Sequence, residues 1–245
     1  MRMADENPSS PTPLPFGPLK RFGVMGGSFD PVHVGHLSIA QQVMAGLKLE
    51  EVILLPAATP PHKQDGREMA SSADRLEMCR LAVQNMRGLS VSDFEIRRGG
   101  VSYTVETARQ IRAAYGPAAE IYFLIGSDSL ADLPQWYEIN ELLTLVKFGI
   151  AERREVPIKE ALWQDLRAKL GRAAEEMLRA GVVSVQRVDV SSTLIRKLLQ
   201  DGEKIPGYLR RDVEDYIRRK GLYGAPRTPT RTKRIILPPT DDLRA

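Results

Sequence analysis

Apolar and polar positions along the middle of the chain repeat with two different periods, one for strands and one for helices. Residues 21–25 read as a strand ending at a Gly-Gly turn, and a helix is predicted from about residue 36 to 48. Residues 51–55 are a short apolar run stopped by Pro56, the pattern of a buried strand. Within residues 74–86, Leu76, Cys79, Val83 and Met86 fall at helical spacing. Residues 89–96 read as a strand, and 104–115 as a helix with Val105, Ala108 and Ile111 on one side. A further strand over 120–125 ends at Gly126, with short helices around Asp128 and Glu138. Strands over 147–151 and 182–188 are separated by one helix over 159–178, and the last helices begin near Ser191 and Tyr208.

This alternation predicts an α/β fold: a Rossmann-like, doubly wound, mainly parallel sheet with helices on both faces and a small C-terminal helical part. In such sheets ligands bind beyond the carboxyl ends of the strands, so chemical motifs are expected just after strands. The organisation expected is an extension over residues 1–20, one catalytic domain over 21–223 and a basic tail over 224–245. Pro8, Pro11, Pro13, Pro15 and Pro18 make the first segment a poor helix or strand candidate.

Composition narrows the class. The chain has 245 residues, 42% of them hydrophobic and 27% charged, ordinary values for a globular protein. No apolar run approaches the roughly 20 residues of a membrane span, and the proline-rich N-terminus lacks a signal-peptide core. A single cysteine, Cys79, excludes an internal disulfide and fits a reducing compartment, so the cytoplasm is the expected location. The net charge of +4 comes from the ends: residues 1–21 carry +1 and residues 224–245 carry +3. The folded body is therefore near neutral, and no nucleic-acid partner is expected for it.

The candidate chemistry starts at Gly26-Gly27-Ser28-Phe29-Asp30-Pro31-Val32-His33-Val34-Gly35-His36. Two glycines after a strand allow a sharp turn and close approach of a phosphate, and Ser28 adds a hydroxyl. The helix start that follows offers N–H groups and partial positive charge to a polyphosphate. His33 and His36 are three apart and can face one side of the first turn, each donating to a phosphate oxygen, more strongly when protonated. The bland alternative is a structural pair or ligands of a metal, although these two alone make an incomplete site and no Cys/His cluster supplies the rest. Neither G-x-x-x-x-G-K-[ST] nor G-x-G-x-x-G occurs. All three histidines lie within residues 33–62, and His62 stands in Thr59-Pro60-Pro61-His62-Lys63. Ser191-Ser192-Thr193-Leu194-Ile195-Arg196 opens a helix after a strand and forms a second candidate anion site, because capping explains the serines but not Arg196.

GGSFDPVHVGHL together with SSTLIR resembles the nucleotidyltransferases with an H-x-G-H motif, distant fold relatives of class I aminoacyl-tRNA synthetases. Pro60-Pro61-His62-Lys63, Asp74-Arg75-Leu76-Glu77-Met78, Ser102-Tyr103-Thr104, Phe123-Leu124-Ile125-Gly126-Ser127-Asp128, Leu133-Pro134-Gln135-Trp136-Tyr137 and a closing Gly221-Leu222-Tyr223 follow in order, as in the bacterial nicotinate-nucleotide adenylyltransferases. The resemblance spans about residues 21–223. It implies transfer of AMP from ATP to nicotinate mononucleotide, with Mg²⁺ on ATP and pyrophosphate and no protein metal cage. It implies His36 and His33 as the catalytic pair and Gly26, Gly27 and Ser28 as the phosphate cradle. It implies Ser192, Thr193 and Arg196 on the β and γ phosphates, and Gly126 and Asp128 on nucleotide sugar or base. Trp136 is implied to stack on the pyridine ring, Tyr103 and Thr104 to hold its carboxylate, and His62 and Lys63 to close from a loop.

Each assignment has a bland counterpart. Trp136 reads equally as core, Asp128 and Thr104 as helix caps, and Arg75 beside Asp74 as a solvated or intrahelical pair. One departure stands out: Glu152-Arg153-Arg154-Glu155-Val156-Pro157 replaces the Arg-Pro-Gly usual after this strand, leaving the role of Arg153 open. A sister enzyme acting on nicotinamide mononucleotide or phosphopantetheine remains an alternative, as do a nucleotide sensor and an RNA-binding module using the basic tail.

Overall fold

The computed structural model describes residues 20–60, 69–186 and 188–226. Six strands, β1 (Arg21–Gly27), β2 (Glu51–Pro56), β3 (Leu89–Val91), β4 (Glu120–Gly126), β5 (Lys147–Arg153) and β6 (Val182–Val185), form one sheet in the order β3-β2-β1-β4-β5-β6. Every adjacent pair is parallel. The chain winds outward from β1 through β2 to β3, then crosses back to β4 and winds the other way. The reversal leaves a crevice between the carboxyl ends of β1 and β4, where Gly26-Gly27 and Gly126 lie.

Both faces of the sheet are buried, which is why β2 reads as continuous apolar sequence rather than an alternation. Val52, Leu54, Tyr122 and Leu124 face one core, shared with α1 (Val34–Gly46), α2 (Ser72–Val83), α8 (Ser192–Gln200) and α9 (Arg211–Lys220). Ile53, Leu55, Ile121 and Phe123, one residue out of phase, face the other. That second core is covered by α3 (Phe94–Arg98), α4 (Thr104–Tyr115), α5 (Ile139–Leu145), α6 (Glu160–Leu170) and α7 (Arg172–Ala180).

The expected fold class holds, while several boundaries move. The strand expected over 89–96 stops at Val91, because Ser92 Oγ accepts from the N–H of Phe94 and opens α3. The single helix expected over 159–178 is two, broken at Gly171, whose φ of 90° lies outside the helical region. α1 begins at Val34, about one half-turn earlier than expected, and β6 ends at Val185 rather than 188. β5 runs on to Arg153, which sets that arginine at the strand's carboxyl end.

Candidate active site

The loop between β1 and α1 is held by buried charges. Arg75 on α2 is 1% exposed, and it donates from Nη1 to Ser28 O (2.8 Å), from Nη2 to Ala58 O (3.1 Å) and from Nε to Ala70 O (3.2 Å). Arg75 is thus no solvated partner of Asp74; three carbonyls from three segments solvate the guanidinium in place of water. Asp30 is fully buried, and its Oδ1 accepts from the N–H of Ala70 (3.1 Å) and the hydroxyl of Tyr223 (2.7 Å).

The histidines sit where this loop enters α1. His33 occupies the N-cap position and is 8% exposed; burial lowers its pKa from 6.5 to about 4. Burial thus favours the neutral imidazole at pH 7, which donates from one ring nitrogen, over the protonated form that would donate more strongly. Its backbone N–H donates to Nδ1 of His36 at 3.2 Å, and the two rings stack with centroids 3.7 Å apart. Phe29 packs edge-on against His36 at 5.1 Å. Gly35 between them explains itself: a Cβ there would stand 2.9 Å from Val190 Cγ1 and 3.0 Å from His33 Nδ1.

The second predicted anion site meets the first. Ser191 caps α8 by accepting from the N–H of Leu194 (3.1 Å). Ser192 Oγ donates to Pro31 O (2.9 Å), while Arg196 donates from Nη1 to Asp30 O (2.6 Å) and from Nη2 to Thr193 Oγ1 (3.0 Å). Segments more than 160 residues apart in sequence are thus joined by direct hydrogen bonds. The geometry adds a task that sequence did not suggest: Ser192 and Arg196 hold the backbone of the histidine loop.

A cavity of about 360 Å³ opens at the crevice between β1 and β4. Gly26, Gly27 and Ser28 line it on one side and Ser102, Tyr103, Thr104 and Trp136 on the other. Trp136 is half-buried with its ring T-shaped to Phe148 at 6.3 Å, so it is both core edge and cavity wall. Tyr103 precedes the first turn of α4 and packs against Tyr137 at 4.8 Å. His62 and Lys63 lie outside the described residues; Pro60, just before them, lines the cavity.

Glu95 is a cavity residue that sequence reading missed. It is 5% exposed, accepts from Thr107 Oγ1 at 2.7 Å, and burial raises its pKa. Thr107 Oγ1 also accepts from Arg98 Nη1 (3.1 Å), and Ser102 Oγ accepts from the N–H of Ala58 (3.1 Å). α3, with five residues, is too short for its periodicity to betray a buried carboxyl.

Gly126 and Asp128 stand at the end of β4. A Cβ on Gly126 would lie 2.2 Å from Asp128 Oδ1, so the glycine makes room for that carboxylate. Asp128 Oδ2 is 3.7 Å from Arg153 Nη2, and both line a neighbouring cavity of about 260 Å³. Arg153 therefore keeps a place beside the crevice although the Pro-Gly that usually follows is missing. Among the described residues no group of three or more His, Cys, Asp or Glu could hold a metal ion, and no helix is long and apolar enough to cross a membrane.

Comparison with known proteins agrees with this geometry. The family model described as cytidylyltransferase-like matches residues 24–198. A probable nicotinate-nucleotide adenylyltransferase of Gemmatimonas aurantiaca is 37% identical over 203 residues, covering 83% of this chain and 92% of its own. One from Desulfitobacterium hafniense (strain DSM 10664 / DCB-2) is 40% identical over 207 residues, covering 84% and 97%. In fold, the chain is similar to the Plasmodium falciparum nicotinic acid mononucleotide adenylyltransferase complexed with NaAD, with a TM-score of 0.66 at 20% identity over 84% of this chain and 98% of that one. Crevice, histidine loop and relatives agree: the chain belongs to the nicotinate-nucleotide adenylyltransferases, nucleotidyltransferases of NAD biosynthesis.

Proposed function

We propose that this chain transfers AMP from MgATP to nicotinate mononucleotide, giving nicotinate adenine dinucleotide and pyrophosphate. The observation that carries the reading is the junction of the loop bearing His33 and His36 with the start of α8, in a loop whose first residue, Ser28, lines a cavity walled by Tyr103, Trp136 and Tyr137. One side suits a triphosphate and the other a planar ring. The step is an in-line displacement without a covalent enzyme intermediate. An oxygen of the mononucleotide 5′-phosphate bonds to the α-phosphorus of ATP as the bond to the bridging oxygen of pyrophosphate breaks. Such a reaction needs positioning and charge neutralisation more than a nucleophilic side chain.

In this reading His36 and His33 donate to the α-phosphate region, and Gly26, Gly27 and Ser28 shape the cradle. Ser192, Thr193 and Arg196 hold the β and γ phosphates as pyrophosphate leaves. Gly126 and Asp128 contact a nucleotide sugar or base. Trp136 stacks on the pyridinium, where a cation over an indole face is favourable. Tyr103 and Thr104 offer N–H groups at the start of α4 to the nicotinate carboxylate, and His62 and Lys63, outside the described residues, are assigned to substrate binding on the resemblance alone. Mg²⁺ enters with ATP as part of the substrate. The Plasmodium falciparum relative, solved with NaAD, supports the choice of acceptor.

The test is a pyrophosphate-release assay with ATP and a panel of nicotinate mononucleotide, nicotinamide mononucleotide and phosphopantetheine. The nicotinate compound should give the highest kcat/KM by a wide margin. Comparable values for the nicotinamide compound would sink the preference for the acid, and turnover of phosphopantetheine alone would sink the function.

A further inference from the structure

The C-terminal turn touches the histidine loop at an unexpected place. Tyr223 lies in the 3-10 turn Leu222–Gly224, directly after α9, with φ 58° and ψ 26°. A left-handed backbone is unfavourable for an aromatic residue and persists where the surroundings hold it. Its hydroxyl donates to Asp30 Oδ1 at 2.7 Å, across 193 residues of sequence. Burial, then the Asp30 carboxylate, push its pKa far above the ordinary tyrosine value, so the hydroxyl stays a donor at every working pH. Asp30 lies three residues before His33, and the carbonyls of Ser28, Asp30 and Pro31 are held by Arg75, Arg196 and Ser192. The main chain of the loop is thus gripped by α2 and α8, and its carboxylate by the N–H of Ala70 and the hydroxyl of the chain's last described turn.

We propose that Tyr223 is a positioning residue for the reaction: through Asp30, its hydroxyl sets where the His33 and His36 imidazoles stand against the α-phosphate. This inference rests on the adenylyl-transfer reading, because it takes the imidazoles as the groups being placed.

The test is Tyr223→Phe in the full chain, which keeps the ring and removes only the donor. Misplacement of reacting groups by a fraction of an ångström should lower kcat about tenfold, with KM for the mononucleotide unchanged. Asp30→Leu, which keeps the approximate size of the side chain and removes the acceptor, should lower kcat at least as much, and the double variant should fall no further than the worse single one. The ¹⁵N resonances of the His36 imidazole should also shift in Tyr223→Phe. Wild-type kcat in Tyr223→Phe, losses that multiply in the double variant, or unchanged imidazole resonances would each overturn the proposal. A wild-type chain inactive on the nicotinate compound would overturn the functional reading instead, and the resonances would still decide this one.

Discussion

The backbone N–H of His33 donates to Nδ1 of His36 at 3.2 Å. An acceptor nitrogen carries no hydrogen, so Nε2 of His36 holds it and is the donor that the ring presents. The bond also caps the first turn of α1, so stability and chemistry share one contact. The orientation of the ring is reinforced by stacking on His33 and by the edge of Phe29.

His36→Ala removes that donor, and kcat should fall by about 10²–10³ with a folded protein remaining. His36→Gln places an amide N–H near the position of Nε2 and should recover part of the loss. The measurement is kcat for both variants beside their circular dichroism. A Gln variant no better than Ala would show that donation from Nε2 is not what matters.

His33 makes stability depend on pH, with a sign fixed by its lowered pKa. Between about 4 and 6.5 the unfolded chain holds a proton on this residue and the folded chain does not. Stability therefore rises with pH across that window and is lost as pH falls through it, by about 3 kcal/mol in full. Urea unfolding of wild type at pH 7.5 and 4.5 should differ by more than the same pair for His33→Gln. Parallel losses in the two proteins would mean that His33 titrates as an ordinary surface histidine.

Trp136→Ala should raise KM for the mononucleotide about tenfold and leave KM for ATP near its starting value. Trp136→Phe should lose less, since a smaller aromatic face remains. Because the indole also touches Phe148, the Ala variant should melt a few degrees lower as well. Equal rises in both KM values would point to general damage to the crevice.

Legibility in the sequence followed the distance over which each feature is decided. β2 was readable because the apolar run up to Pro56 is itself the signal, although the strand takes in Pro56 as well. α4 was readable because it starts after Tyr103 and stops at Gly116, whose φ of 74° ends the helix locally. The paired histidines and the hydroxyl-rich start of α8 were visible as motifs for the same reason. What escaped was set by partners far along the chain. Arg75 looked like half of a surface pair, yet its acceptors are Ser28, Ala58 and Ala70. The neutrality of His33 comes from burial, and the union of the two anion sites needs a contact across 161 residues, Ser192 to Pro31. Glu95 carried no local pattern at all, and Tyr223 was visible only as the end of a closing motif, with nothing to show its contact with Asp30.

Gly126→Ala separates two reasons for the glycine at the end of β4. The new Cβ would meet Asp128 Oδ1 at 2.2 Å, but that atom ends a flexible, exposed side chain and can swing away. The fold should survive, with Tm within a few degrees of wild type, while Asp128 leaves its place 3.7 Å from Arg153. If the carboxylate contacts the nucleotide, Gly126→Ala and Asp128→Ala should raise KM for ATP to similar degrees, and the double variant should be no worse than either. If instead the backbone of Gly126 must approach the ligand closely, Gly126→Ala should exceed Asp128→Ala, and removing the carboxylate beside it should bring no relief. Unchanged KM for both substrates in all three variants would remove this strand end from the binding site.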